Sequence, residues 1–312
     1  MNECIDQYIK LAKEVFNVDQ VLLGKIPTGD NRCRFDYNVL ETSIKAIIKD
    51  RLFSEDCSLS EVSSADYRVC RTFVVAKKAI NAAGPPTVFR SYVGEGIRPA
   101  KCPIWQAARA TCAAPSFFKA MYIDNPYPGV NYVDGGLGYN NPSELALSEA
   151  ARLWPKSQQF CLVSIGTGRQ CAIRIIDPSK PDDDIEAQRS LFQQVKSFVP
   201  DIVSLVPGWK TAKHFPPGVL ALIKMTSALS SLITNSEDVH QRLLRAARTP
   251  DKAFPYFRFN VEREVGDIGL EDWKKEEEIT VHTASYLEEQ EAEERKTACV
   301  KVLIDPPSFP RT

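Results

Sequence analysis

The sequence lacks the features that mark several classes of protein. Its nine cysteines include no CxxC pair, so the usual spacing of a zinc site is missing and we expect no metal. The 39 Lys and Arg residues nearly balance the 40 Asp and Glu residues, which leaves no excess of positive charge to favour nucleic acid. None of the three histidines stands at a recognisable Ser-His-Asp spacing, so a histidine-based triad is not indicated.

Long apolar runs are also missing. The most apolar stretch, residues 219–233, is interrupted by Lys224 and Thr226. It is too short and too polar to cross a bilayer. The first residues form neither the basic nor the apolar region of a secretion signal. An odd number of cysteines without such a signal favours a reducing compartment. We therefore expect a cytoplasmic protein whose contacts with membranes are peripheral.

What is present is an alternation of helical and strand patterns. Apolar spacing predicts helices over residues 4–16, 38–48, 103–114, 142–153, 219–247 and 280–303. Runs rich in β-branched and aromatic residues predict strands over residues 72–76, 87–92, 160–165 and 256–261. Glycine-rich turns after strands complete the pattern of an α/β fold.

From this order we predict a mostly parallel central sheet flanked by helices. The prediction is a single domain over residues 1–312, with its core in residues 1–175. The prolines and acidic run of residues 178–217 indicate an irregular insertion. Residues 218–312 are predicted to add helices and a strand.

Four blocks occur in a fixed order along the chain. The first covers residues 107–118, in which the Ala-Arg-Ala end of the predicted helix 103–114 is followed by Pro115-Ser116-Phe117-Phe118. The others are Asp134-Gly135-Gly136 with Asn140-Asn141-Pro142 behind it, then Ser164-Ile165-Gly166-Thr167-Gly168, then Tyr256-Phe257-Arg258-Phe259-Asn260-Val261. Together these blocks resemble the patatin-like phospholipase family, specifically the C-terminal two-thirds of its domain.

The resemblance implies a lipid acyl hydrolase that uses a Ser-Asp dyad. In the family, a serine on a Gly-x-Ser-x-Gly elbow attacks the ester, and the aspartate of the Asp-Gly-Gly motif takes the serine proton directly. Carried over, that general base is Asp134, and Gly135 and Gly136 shape its turn. Residue chemistry agrees, because a carboxylate after a strand lies at the sheet edge where α/β sites form, and adjacent glycines allow close approach of backbones. The alternative is that Asp134 only closes an Asx-turn.

The nucleophile of that dyad is missing from the chain. No glycine stands two residues before a Ser, Cys or Thr, so neither Gly-x-Ser-x-Gly nor a Cys or Thr equivalent exists. The glycine-rich oxyanion loop is missing with it. We expect either an N-terminally truncated piece of a longer enzyme or a catalytically inactive homologue that binds lipid or a protein partner. Whether this chain is itself an enzyme is therefore left open.

Other polar residues are weaker candidates for a site. Ser116 and Ser164 lack elbow glycines, and we expect both to be structural. Gly166-Thr167-Gly168 lacks the third glycine of a dinucleotide fingerprint and the Lys of a P-loop, so a tight turn at a strand exit is favoured over a Rossmann-type enzyme. Arg109 is expected to form a structural salt bridge rather than to contact a lipid phosphate, and His240 to lie on a solvated face.

The resemblance also sets the expected partners. Substrates would be phospholipid or acylglycerol, met at a membrane or lipid-droplet surface. It implies no metal and no organic cofactor, and it offers no role for nucleic acid.

Overall fold

The computed structural model describes about three fifths of the chain. The described residues are 2–16, 35–52, 54–60, 70–81, 84–94, 96–98, 100–115, 117–124, 128–157, 160–168, 236–249, 254–262, 265, 268 and 272–305. They belong to two compact units. The first unit holds the described residues of 1–93 and 98–139, and the second holds residues 94–97 and those described between 140 and 172 and between 235 and 312. The predicted insertion at 178–217 lies outside the described residues.

Among its described residues, the first unit has three helices of eight residues or more. They are α1 (Asn2–Val15), α2 (Tyr37–Leu52) and α3 (Ile104–Thr111). Helix α1 follows the predicted apolar spacing only in part, because Ala12 and Val15 are buried whereas Ile5 and Tyr8 are more than half exposed. Helix α3 begins directly after Pro103, where proline costs no hydrogen bond because the first amides of a helix have no intrahelical partner.

A four-stranded sheet lies in the same unit. Its strands are β1 (Phe73–Lys78), β2 (Thr87–Arg90), β3 (Met121–Ile123) and β4 (Val130–Asp134), in the order β2-β1-β4-β3. All three pairings are antiparallel. In the pairing of β1 with β4, Ala76 is opposite Asp134.

The expected mostly parallel central sheet is therefore not confirmed in the described strands. Residues 79–86 join β1 to β2, and residues 124–129 join β3 to β4. Connections this short favour antiparallel neighbours, because a parallel pair needs a crossover of about a dozen residues or more. Residue patterns predicted strands β1 and β2 of this sheet, but not β3 and β4 or the direction in which the strands pair.

The core of this unit lies between the sheet and α3. Ala76, Ala110 and Ile123 are almost fully buried, with Met121 and Tyr132 beside them. The rings of Phe89 and Tyr132 meet edge to face, with their centroids 5.2 Å apart. Alanines on α3 let the helix approach the sheet closely, so the packed helix fixes the chain that leaves it at Cys112.

The described residues of the second unit form two strands and four α-helices. Strands β5 (Leu162–Ile165) and β6 (Tyr256–Phe259) are parallel, as expected for the predicted strand at residues 160–165. Its helices are α4 (Ser143–Leu153), α5 (Ser236–Ala247), α6 (Glu276–Glu288) and α7 (Gln290–Ile304). The single helix expected over residues 280–303 is thus wrong, because Glu289 has the extended dihedrals φ −62° and ψ 140°.

Among the described residues, no helix combines the length and apolar character needed to cross a membrane.

Candidate functional site

Asp134 is the last residue of β4, and the sheet and α3 both hold its backbone. Its amide donates a hydrogen bond of 2.9 Å to the carbonyl of Ala113, just beyond the C-terminus of α3. Thr111 in the last turn of α3 donates through Oγ1 to the carbonyl of Val75 on β1, at 2.6 Å. Strand pairing and helix exit therefore fix the position from which the Asp134 side chain projects.

The two glycines after Asp134 act differently. A Cβ on Gly135 would lie 2.7 Å from the carbonyl carbon of Val75 and closer still to its oxygen, so only glycine fits against β1. The amide of Gly136 donates to Oδ1 of Asp134 at 2.6 Å. The glycine turn therefore allows the close backbone approach that was expected, and the backbone it approaches is that of β1.

That second contact is an Asx-turn, the alternative weighed for Asp134. It engages one carboxylate oxygen only. Within the described part of the chain, Oδ2 receives no hydrogen bond, and the side chain is half-buried. An Asx-turn and a base are compatible, because the turn orients the carboxylate while its second oxygen stays available to accept a proton.

Electrostatics at this position favour the protonated acid more than in an exposed aspartate. Burial raises the pKa of Asp134 above its usual value, and the hydrogen bond from Gly136 opposes this increase. Desolvation destabilises the charged form, whereas a donor to the carboxylate stabilises it. A carboxylate shifted in this direction is a stronger base than an ordinary aspartate, as deprotonation of a hydroxyl requires.

Cys112 and Lys77 are neighbours that the residue patterns did not single out. Desolvation of the thiol, with a smaller effect from the charge of Asp134, raises the pKa of Cys112 to about 11, although the residue as a whole is exposed. A thiol with its pKa shifted in this direction is a poor nucleophile. Lys77 is buried, donates to the carbonyl of Gly84 and has Nζ 5.1 Å from the ring centroid of Tyr139. Two successive lysines, Lys77 and Lys78, are typical of an exposed strand end. The sequence therefore gives no sign that Lys77 is buried.

The remaining candidates lie elsewhere or have structural contacts. Arg109 is 1% exposed, pairs with Glu41 at 3.4 Å and donates to the carbonyl of Lys119 at 2.6 Å, which favours the structural salt bridge. The Nδ1 atom of His240 lies 2.9 Å from the hydroxyl of Tyr256, so the expectation of a solvated histidine is wrong. Ser164 is buried on β5, and Ser116 lies outside the described residues.

Asn141 and Pro142 lie in the second unit, and each is one position further ahead of the helix than expected. Helix α4 begins at Ser143, so Pro142 precedes its first residue. Oδ1 of Asn141 accepts from both the amide and the hydroxyl of Ser143, at 3.2 Å and 2.6 Å. Asn141 therefore does hold the start of the helix, as a side chain two residues ahead of the amide it binds.

The raised pKa of Asp134 gives a prediction for stability. Since its folded-state pKa lies above that of an unfolded chain, ionisation opposes folding at neutral pH, and the penalty vanishes as the pH falls below the unfolded value of about 3.9. Asp134→Asn keeps an oxygen for the amide of Gly136. We expect it to have a higher Tm than the native chain at pH 7, and the difference to shrink towards pH 4.

The measurement is thermal unfolding between pH 4 and pH 8, beside Asp124→Asn. Asp124 follows β3 and is exposed, so it matches the chemical change without the burial. A Tm for Asp134→Asn that is below the native value at pH 7 and recovers at pH 4 would show that the carboxylate stabilises the fold instead.

The described fold and site define an α/β protein with a partly desolvated aspartate at a strand end, followed by a glycine turn. Residues 4–147 match the model of the patatin-like phospholipase family. These residues, slightly under half of the chain, are similar to that family, and the match implies an α/β hydrolase-like fold.

Individual relatives agree with the family match. Calcium-independent phospholipase A2-gamma from Mus musculus is 31% identical over 177 residues, which is 54% of this chain and 21% of the relative. The Homo sapiens protein of the same name is 32% identical over the same length and shares. Patatin-like phospholipase 1 from Plasmodium falciparum is 31% identical over 218 residues, 65% of this chain and 26% of the relative. The chain therefore spans about a fifth to a quarter of the length of these relatives.

Proposed function

We propose that this chain is part of a lipid acyl hydrolase in which Asp134 is the general base of a Ser-Asp dyad. The observation that carries the proposal is the half-buried carboxylate of Asp134, oriented through Oδ1 by Gly136 and with its pKa raised by burial. Its position within the family segment supports the assignment. Gly135 and Gly136 have a positioning role, because they hold the turn against β1.

The reaction in this proposal needs a serine from outside these 312 residues. No Gly-x-Ser-x-Gly sequence exists in the chain, and the thiol of Cys112, whose pKa is raised to about 11, is a poor replacement for the serine. During attack, Oδ2 of Asp134 would accept the serine proton as the new bond to the acyl carbon forms. The same proton would then go to the leaving alcohol.

The names of the relatives suggest phospholipid as the substrate, and acylglycerol shares the same ester chemistry. A hydrolase for such lipids would act at a membrane or lipid-droplet surface from the cytoplasmic side. The parallel central sheet expected from the family, and one domain over residues 1–312, belong to the same proposal.

The test joins the chain to a family segment that carries the Gly-x-Ser-x-Gly elbow and its glycine-rich loop. Hydrolysis of a short-chain chromogenic ester and of phospholipid vesicles is measured for the chain alone and for the fusion. We expect turnover in the fusion only. Asp134→Asn should lower its kcat by about 10²- to 10⁴-fold, the usual contribution of a general base, whereas Asp124→Asn should leave kcat within about twofold.

Two results would contradict the proposal. Asp134→Asn fusions with nearly native kcat would remove Asp134 from the chemistry. Turnover by the chain alone that is lost in Asp134→Asn would place the nucleophile inside these 312 residues.

The second candidate is a catalytically inactive homologue that binds lipid or a protein partner. The missing elbow is the observation that favours it. A folded but inactive fusion, together with vesicle binding by the chain alone, would support this alternative over the hydrolase.

A further inference from the structure

The second unit contains a buried cation with an incomplete set of partners. Arg258 on β6 is 8% exposed. It lies opposite Ser164 of β5 in the parallel pair, and its Nη1 donates to the hydroxyl of Ser164 at 2.7 Å. Its Nε atom is buried and has no hydrogen-bond acceptor.

A chain of hydrogen bonds leads away from Ser164, and the groups that it links are all neutral. The hydroxyl oxygens of Ser143 and Ser164 are 2.8 Å apart, and Ser143 donates to Oδ1 of Asn141 at 2.6 Å. Asn141 in turn donates through Nδ2 to the carbonyl of Ser236 at 3.1 Å. This chain of hydrogen bonds organises the start of α4 and of α5, but it brings no negative charge to Arg258.

Two carboxylates of the described second unit pair with other arginines. Glu149 accepts from Arg152 at 3.3 Å, and Glu144 binds Arg242 at 2.7 Å and 2.9 Å. Among the described residues, no carboxylate forms an ion pair with Arg258. A buried charge is normally paired, because removing it from water without compensation is expensive. Within the part of the chain that the structure describes, the buried guanidinium therefore has no anionic partner.

The turn beside Arg258 allows an unusually close approach. A Cβ on Gly166 would lie 2.7 Å from Nη2 of Arg258 and closer still to Oδ1 of Asn260. That Oδ1 accepts from the amide of Gly168 at 3.0 Å, and Gly168 has φ +114°, a region that favours glycine. A side chain at position 166 would therefore displace the ends of Asn260 and Arg258, and the backbone at position 168 favours glycine. Thr167 between them is exposed.

The location is the edge at which ligands of α/β proteins bind. The Gly166-Thr167-Gly168 turn follows the carboxyl end of β5, and Asn260 follows the carboxyl end of β6. Ligands of open α/β sheets bind outside the carboxyl ends of parallel strands. A guanidinium with an unbonded Nε is the side chain best suited to a phosphate oxyanion, which it can bind through two parallel N–H groups.

We propose that Arg258, with the turn of residues 166–168, forms a binding site for a phosphate-type oxyanion. The ligand is either free phosphate or the phosphodiester of a lipid headgroup, which present the same oxygens to the guanidinium. This site lies wholly in the second unit and does not depend on the dyad proposed for Asp134.

The test is isothermal titration of the native chain at constant ionic strength, with inorganic phosphate in one arm and a short-chain phosphatidylcholine below its micelle concentration in the other. Arg258→Lys keeps the charge but loses the paired N–H groups, and we expect its Kd to rise at least tenfold. Arg242→Lys is the matched control, since Arg242 is an exposed arginine of the same unit, and its Kd should not change.

A second measurement needs no substitution. In ¹⁵N-labelled native chain, an arginine Nε–H signal that exchanges slowly with water should shift as phosphate is added. Binding in one arm only identifies the source of the oxyanion. The proposal is overturned if neither probe binds, if Arg258→Lys binds as tightly as the native chain, or if no slowly exchanging Nε–H signal responds to a probe that binds.

Discussion

Gly135→Ala is expected to destabilise the first unit by about 3 kcal/mol or more, at the upper end of the range for overpacked positions. The added Cβ would lie 2.7 Å from the carbonyl carbon of Val75, so either β4 or β1 must shift. Neither strand can shift freely, because Ala76 and Asp134 are paired across the sheet and the carbonyl of Val75 already accepts from Thr111.

Urea unfolding monitored by circular dichroism measures this loss, and Gly136→Ala is its matched control. The nearest atom to a Cβ on Gly136 is Oδ1 of Asp134, at 3.1 Å, which is a side-chain atom able to move by a few tenths of an ångström. We expect this control to change the free energy of unfolding by about 1 kcal/mol at most. Equal effects in the two variants would show that contact with β1 does not explain the glycine.

The same clash links the fold to the proposed chemistry. Movement of β4 displaces Asp134, so a Gly135→Ala fusion that still folds should lose kcat, with little change in its affinity for lipid. Glycine in the Asp-Gly-Gly motif is then required for space rather than for a left-handed backbone, since Gly135 is not among the glycines with positive φ.

Residue patterns predicted the elements near the site well. The strand at β1, the alanine-rich α3 and the parallel strand β5 all lie within a few residues of their predicted positions, because each is encoded by local spacing of apolar residues. Asp134 at a strand end was also foreseeable, since Tyr132 and Val133 lead directly into a glycine turn.

What the patterns missed depends on contacts between distant segments. Strand β3 has three residues, too few for a periodicity to show, and it exists through its pairing with β4. In the sequence, Arg258 alternates with Phe257 and Phe259, which predicts that it lies on the solvated face of a half-buried strand. In the structure it is the most buried residue of β6. Its burial depends on Ser164, which is 94 positions away in the sequence.

Arg109→Ala is expected to cost about 3–5 kcal/mol, the range for breaking a buried ion pair or emptying a large buried site. Arg109 is among the largest fully buried side chains of the described residues. Its removal leaves the carbonyl of Lys119 without a donor and Glu41 without its cation. It also removes a guanidinium 5.6 Å from the ring centroids of both Tyr37 and Phe118.

The exposed pair of Arg242 and Glu144 supplies the control. These side chains are 54% and 42% exposed, and exposed pairs contribute about 0–1 kcal/mol. Arg242→Ala should therefore shift the urea midpoint little, although its hydrogen bonds to Glu144 are shorter than the Arg109–Glu41 distance. An Arg109→Ala effect as small as that of Arg242→Ala would contradict a structural role for the buried arginine.

A second substitution separates charge from volume at this position. Arg109→Met fills most of the site but leaves Glu41, whose side chain is 23% exposed, without a partner. If the unpaired carboxylate causes most of the loss, adding Glu41→Gln to Arg109→Met should restore part of the stability, since neutral replacement of both members of a buried pair is often tolerated. If packing causes it, Arg109→Met alone should be close to native and the second change should add nothing.

Either result bears on Asp134, because α3 carries Arg109 in its last turn and passes directly to the carbonyl of Ala113 that binds the Asp134 amide. Loss of stability at Arg109 is therefore expected to loosen the strand end on which the proposed base is placed.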